Sequence, residues 1–201
     1  MKKLSKAFYQ RKNVVEIAKD LIGKIVVTNK DGINTSGRIV ETEAYVAHVD
    51  KASHAYNGKR TLRNETMYAA PGTVYVYICY GMHNMLNIVT NDLGVPDAIL
   101  IRAVEPINGI DDMLVRTRKK TLDNTLTKGP GNVAKAMGIS KKLSGKTLGE
   151  EINIYTDNFL ITDNEIGTSK RIGIDSAGLD ALLPYRFFLK ENKYVSGRPV
   201  R

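Results

Sequence analysis

Pro71-Gly-Thr-Val-Tyr-Val-Tyr-Ile-Cys-Tyr-Gly-Met82, running on through His83 to Asn87, is the stretch on which the reading of this chain turns. Alternation at period two places Tyr75 and Tyr77 on one face of a strand, with Val74, Val76 and Ile78 on the other. Gly81 lets the chain reverse just after Tyr80, so the segment reads as an aromatic β-hairpin with a tyrosine at its turn. The plain reading is a core hairpin. On a basic chain, an outward ring can also replace the stacking that a displaced nucleic-acid base gives up.

Working outward, strands are expected over residues 24–29 and 33–45, joined by a tight Lys30-Asp31-Gly32 turn, and again over 98–104. Further short strands are expected at 152–155, 159–162 and 185–189. Val14, Ile17, Ala18, Leu21 and Ile22 keep helical spacing, opened by a capping box of Asn13 and Glu16 and closed by Gly23. A helical turn is expected at 65–70, a helix at 110–119, and another at 133–137 introduced by Gly129-Pro130-Gly131-Asn132. This order predicts an α+β fold rather than βαβ winding, with a single domain over 1–201.

Thirty Lys and Arg against 21 Asp and Glu give a net charge of +9, which favours polyanionic partners through counterion release. Cys79 is the only cysteine, which excludes an internal disulfide and a cysteine zinc cluster and suits a reducing cytoplasm. Basic residues at positions 2, 3, 6, 11, 12 and 19 interrupt any apolar signal segment, and no run approaches a membrane span. A soluble cytoplasmic protein with no membrane partner is expected, and a monomer.

Residues 37–45, Gly37-Arg-Ile-Val-Glu-Thr-Glu-Ala-Tyr45, carry two carboxylates at strand spacing. Regular pleating puts Ile39, Glu41, Glu43 and Tyr45 on one face and Val40, Thr42 and Ala44 on the other. A strand carboxylate is ordinarily solvated or ion-paired. One sheltered by aromatics can instead take a proton from water, which then attacks a sugar carbon as a base departs. Tyr45, His54 and Tyr77 can form aromatic walls for a flat ligand, and electron-rich rings suit a cationic, alkylated purine. His48, His54 and His83 lack metal-ligand spacing, so no metal site is expected.

Arg102 interrupts Ile99-Leu-Ile-Arg-Ala-Val104, where a strand should bury apolar groups. It needs a partner such as Glu41 or Glu105, or else it polarises water or holds phosphate. Arg60 and Arg63, with Lys119, Lys120 and Lys128, lie in or beside loops, either solvated or positioned for phosphate contacts.

Together these blocks resemble the alkyladenine (3-methyladenine) DNA glycosylase family, of the mammalian rather than the helix-hairpin-helix type. The resemblance rests on residues 37–45, Arg63-Asn64 with Met67, Pro71 to Met82 with Asn87, Leu100-Ile-Arg-Ala-Val-Glu-Pro106, Gly129-Pro130 and Arg171-Ile-Gly-Ile174. It implies a curved, mostly antiparallel sheet or split barrel flanked by helices, like the domain that accompanies formyltransferases.

It further implies a monofunctional enzyme of base excision repair. Glu43 would be the general base, activating a water held also by Arg102 and the Ile174 carbonyl. Tyr45, His54 and Tyr77 would sandwich a flipped base, and Asn87 would discriminate against guanine by steric and polar mismatch. Tyr80, flanked by Gly81 and Met82, would enter the duplex, while Arg60 and Arg63 would touch DNA. The implied partner is double-stranded DNA carrying damaged purines (3-methyladenine, 7-methylguanine, ethenoadenine or hypoxanthine), with no cofactor and localisation at the nucleoid through DNA. Two rivals share parts of this pattern: a nonenzymatic nucleic-acid-binding module, which needs no Glu43, and a free-nucleoside hydrolase, which needs no Tyr80.

Overall fold

A computed structural model describes residues 1–149 and 151–197. It is an α+β structure built on one open, nine-stranded antiparallel sheet. The strands are β1 (Lys2–Lys3), β2 (Ile25–Lys30), β3 (Ile33–Tyr45), β4 (Val74–Cys79), β5 (His83–Thr90), β6 (Asp97–Asn108), β7 (Ile152–Thr156), β8 (Ile166–Ser169) and β9 (Arg186–Leu189). They run in the order β1-β7-β2-β3-β6-β5-β4, with β9 pairing β3 and β8 off that path. The helices are α1 (Lys6–Tyr9), α2 (Val14–Asp20), α3 (Ile110–Thr117) and α4 (Pro130–Ala136).

Strand β3 decides the architecture. One edge pairs β6 from Ser36 to Tyr45, whereas the other pairs β2 as far as Arg38 and then β9 at Glu41, Thr42 and Glu43. The sheet therefore branches halfway along β3, and two bulges mark the place. Ile39 opposes Val104 but Glu41 opposes Ala103, so Val40 is extra in β3; Thr42 opposes Ile101, so Arg102 is extra in β6. Each bulge breaks the alternation of faces.

That break corrects the expected face assignment of β3. Ile39 joins Ala44 in the main core, where Thr42 also points, its hydroxyl donating to the Ala18 carbonyl in α2 at 2.8 Å. Val40 turns to the opposite side, against Phe188, Tyr194 and Val195. Glu41 shares that side, bonded to Arg186, two residues before Phe188 on β9.

The main core lies between the sheet and its helices. Ile17 and Ala18 of α2, Met113 of α3 and Val133 and Ala136 of α4 pack there with Val74, Leu86, Ile99 and Ile101. Asn13 caps α2 by accepting the N–H groups of Val15 and Glu16, one half of the expected capping box. The helix expected at 110–119 ends at Thr117 because Arg118 adopts a left-handed φ of 60°. Helix α4 begins earlier than expected, at Pro130, whose fixed φ suits a first helical position.

Residues 159–162 are not a strand, contrary to expectation, and β8 lies a few residues later. Side chains hold that segment instead. The Arg38 guanidinium sits 4.0 Å from the Phe159 ring centroid, Asp157 accepts the Phe159 N–H, and Thr162 and Glu165 form a capping box. No helix among the described residues is long and apolar enough to cross a membrane.

Candidate active site

The sheet face opposite the main core carries the functional groups, because residues at period two in β3, β4, β5 and β6 all point there. Tyr75 and Tyr77 from β4, Asn87 from β5, Ala98 from β6 and Tyr45 at the end of β3 line one hollow. His54 and Arg63 from the loop after β3, with Gly173 and Ile174, complete it. Its expected residues therefore converge.

Glu43 is wholly buried beside this hollow. Its Oε2 accepts the Tyr45 hydroxyl at 2.8 Å and lies 3.2 Å from Arg102 Nη1, and its Oε1 accepts the Ile172 N–H at 2.8 Å. All three are donors, so the carboxylate serves as an acceptor throughout. Burial alone would lower the Arg102 pKa, but the charges of Glu43 and Glu41 outweigh it and hold the guanidinium above its usual range. Burial, then the Glu43 charge, push the Tyr45 phenol well up, keeping it a donor.

The aromatic walls differ from a simple sandwich. His54 and Tyr77 meet edge to face with centroids 4.6 Å apart, whereas a ring stacked between two others needs about 7 Å. No base fits between those two. Tyr75 is buried, and its hydroxyl bonds His54 Nδ1 at 2.8 Å. Burial, aided by Arg63 and Lys59, lowers the His54 pKa to about 4, so the imidazole is neutral at neutral pH. Burial likewise raises the Tyr75 phenol to about 12.

Asn87 Nδ2 donates to the carbonyls of Tyr75 and Met85 at 3.3 and 3.1 Å, leaving its Oδ1 without a partner among the described residues. Ile174 lines the hollow, but its carbonyl already accepts the Ala177 N–H at 2.9 Å. In this segment it is the Ile172 N–H that reaches Glu43.

A second hollow adjoins the first, sharing Ala52, His54 and Arg63 and walled also by Lys51 and Lys59. Among the described residues none of these three cations is in an ion pair. Arg60 is different: it pairs with Glu65 through two bonds and stacks on Tyr68. At the hairpin tip, Tyr80 and Gly81 both take positive φ, 50° and 71°, as in a type I′ turn. The turn throws Tyr80 out to 83% exposure, beside Met82.

The family model described as methylpurine-DNA glycosylase matches residues 7–193. The chain belongs to the methylpurine-DNA glycosylase family. It is a DNA glycosylase, a hydrolase acting on N-glycosyl bonds. Among its relatives are proteins of Clostridium perfringens (strain 13 / Type A), 44% identical over 96% of this chain and 98% of the relative, and of Alkaliphilus oremlandii (strain OhILAs), 45% identical over the same shares. A third, from Clostridium novyi (strain NT), is 44% identical over 98% of this chain and 99% of its own. All three bear the name "Putative 3-methyladenine DNA glycosylase".

Two residues that shape the site of this glycosylase were given no role by the sequence beyond their place in its motifs. Asn64 accepts from the Thr61 N–H and hydroxyl and donates to the carbonyls of His54 and Lys59, closing the loop that presents His54. Buried Arg171 pairs with Asp50 through two bonds, donates to the carbonyls of Ala44 and Asp180, and lies 4.8 Å from the Tyr45 ring centroid. It thereby ties the end of β3 to both wall-forming loops. Its place beside Ile172 was readable only as part of a motif. Among the described residues no group of three or more His, Cys, Asp or Glu could hold a metal ion.

Proposed function

We propose that the enzyme extrudes an alkylated or deaminated purine from duplex DNA into the aromatic hollow and hydrolyses its glycosidic bond with a water activated by Glu43. The observation that carries this reading is a wholly buried carboxylate held by Tyr45, Arg102 and the Ile172 N–H at the edge of a tyrosine-lined hollow. Glu43 takes a proton from the water as its oxygen bonds to C1′, and the base leaves with the electrons of the broken bond. An alkyl group on purine N3 or N7 makes the leaving base cationic, so departure needs no acid from the protein. Neutral hypoxanthine and ethenoadenine do need protonation, which makes them weaker substrates. With no lysine placed as a Schiff-base nucleophile, the product is an uncut abasic site.

The rings of Tyr45, Tyr75 and Tyr77 offer π faces to a cationic base. Asn87 favours exclusion of guanine by want of room: its free atom is an acceptor, which an amino group would satisfy rather than oppose. Tyr80 fills the gap left in the duplex, with Gly81 and Met82 beside it. Lys51, Lys59 and Arg63 face the phosphates near the extruded nucleotide, and Arg60 contributes less because Glu65 already holds it.

The test is incubation of the enzyme with duplexes carrying 3-methyladenine, 7-methylguanine, 1,N6-ethenoadenine or hypoxanthine, followed by measurement of released base and alkali-dependent strand cleavage. Release of the methylated purines ahead of the neutral ones is expected. Absence of release from all four would sink the reading.

A further inference from the structure

Glu41 lies two residues from Glu43 and is as completely buried, yet the glycosylase chemistry leaves it without a task. Its Oε1 accepts Arg102 Nε at 3.0 Å, Arg186 Nε at 2.6 Å and the Ser196 hydroxyl at 2.8 Å, while its Oε2 accepts the Ser196 N–H at 2.8 Å. No proton-accepting face is left over for a substrate. Arg186 is in turn fixed by the Ser196 carbonyl at 2.5 Å and the Ser169 hydroxyl at 2.8 Å.

Arg102 is where this node meets the site. Its Nε is committed to Glu41 and its Nη2 to the Ser196 hydroxyl at 3.2 Å, which leaves Nη1 as the nitrogen turned to Glu43. An arginine facing a lone carboxylate prefers a two-bond fork, engaging both oxygens. Such a fork would cover the Glu43 lone pairs that a water must use. By holding the other edge of the guanidinium, Glu41 limits Arg102 to a one-edged contact.

We propose that Glu41 is a positioning residue of the glycosylase reaction, holding Arg102 in a one-edged contact with Glu43, and that Ser196 near the C-terminus completes the fixture. This rests on the reading of Glu43 as the base. The charges balance within the cluster: Glu41 and Glu43 against Arg102 and Arg186. Glu43 itself is faced by Arg102 from β6, by the Tyr45 hydroxyl from its own strand and by the Ile172 N–H, with the Arg171 charge behind Tyr45.

The test is single-turnover base release at saturating duplex for Glu41→Gln. Misplaced catalytic groups cost about 100-fold in rate, and a loss of that order is expected with no change in affinity for a duplex carrying a stable abasic-site analogue. A wild-type rate, or a slower rate accompanied by an equal loss of affinity for that analogue, overturns the proposal.

Should Glu41→Gln fail to fold, Ser196→Ala decides, since it keeps all four charges. One lost hydrogen bond at Arg102 predicts about 10-fold slower release with unchanged duplex binding; wild-type release overturns the fixture. Glu43→Gln in the same assay separates the two ideas: undiminished release there removes the base assignment itself.

Discussion

Glu41 and Glu43 stand on one face of one strand, both wholly buried, and differ in where their partners come from. Glu41 is surrounded by Arg102, Arg186 and Ser196, side chains and backbone closed to the hollow. Glu43 takes its hydrogen bonds from Tyr45, a wall of the hollow, and from Ile172, next to the wall residues Gly173 and Ile174. Burial alone does not tell the two carboxylates apart. What does is whether the hydrogen-bonding shell is closed by the protein or borders a space that a substrate can fill.

The comparison breaks most visibly in activity. Glu43→Gln should lower single-turnover base release by about 10³-fold, within the range for removal of a general base, while keeping affinity for damaged duplex. Activity near wild type would make the two glutamates equivalent. Stability should respond in the opposite order. Glu41→Ala strands two buried guanidiniums and should cost about 3–5 kcal/mol in urea unfolding, more than Glu43→Gln does. Equal costs would dissolve the distinction.

Tyr80 provides a contrast between hollow and tip. Because its ring is solvent-exposed, Tyr80→Ala should leave stability within about 0.5 kcal/mol yet weaken duplex binding by about 10-fold, the worth of one stacked ring. A variant that unfolds early instead would assign the ring to packing.

His54 sharpens the same comparison through pH, since it stands among the tyrosines of the hollow while the node behind them is ionic. With its folded pKa at about 4, below the usual 6.5, the unfolded chain binds a proton that the folded one does not throughout that window. The contribution to stability is complete above pH 6.5 and is lost as pH falls towards 4. His54→Asn should therefore reduce the fall in stability between pH 7 and 5 by on the order of 1 kcal/mol, read from urea midpoints at the two pH values. An unchanged fall would mean that His54 is not held neutral.

Much of this was legible along the chain. Alternation through Val74, Tyr75, Val76 and Tyr77 gave the faces of β4 as they are, and Gly81 gave the turn that exposes Tyr80. Alternation misplaced Ile39 and Val40, because a bulge is set by what the neighbouring strand requires and leaves no mark in a period-two pattern. The apolar run at residues 159–162 read as a strand, but a stacked arginine and a capping box outcompeted ladder pairing there. Arg102 was recognisable as a misfit needing a carboxylate. Its sharing between two of them was not.

By itself the sequence determined the kinds of group available: a basic chain, a tyrosine-rich hairpin, and two strand glutamates with an arginine in an apolar run. These follow from local rules of spacing, charge and turn chemistry, which act over a few residues. Tertiary structure decided which glutamate is closed off, which nitrogen of Arg102 reaches the other, and that Asp50, Arg171 and Ser196 hold the site together. Those choices depend on partners as far as 155 residues apart in the chain, brought within hydrogen-bond distance only when the sheet forms and its branch at β3 is closed.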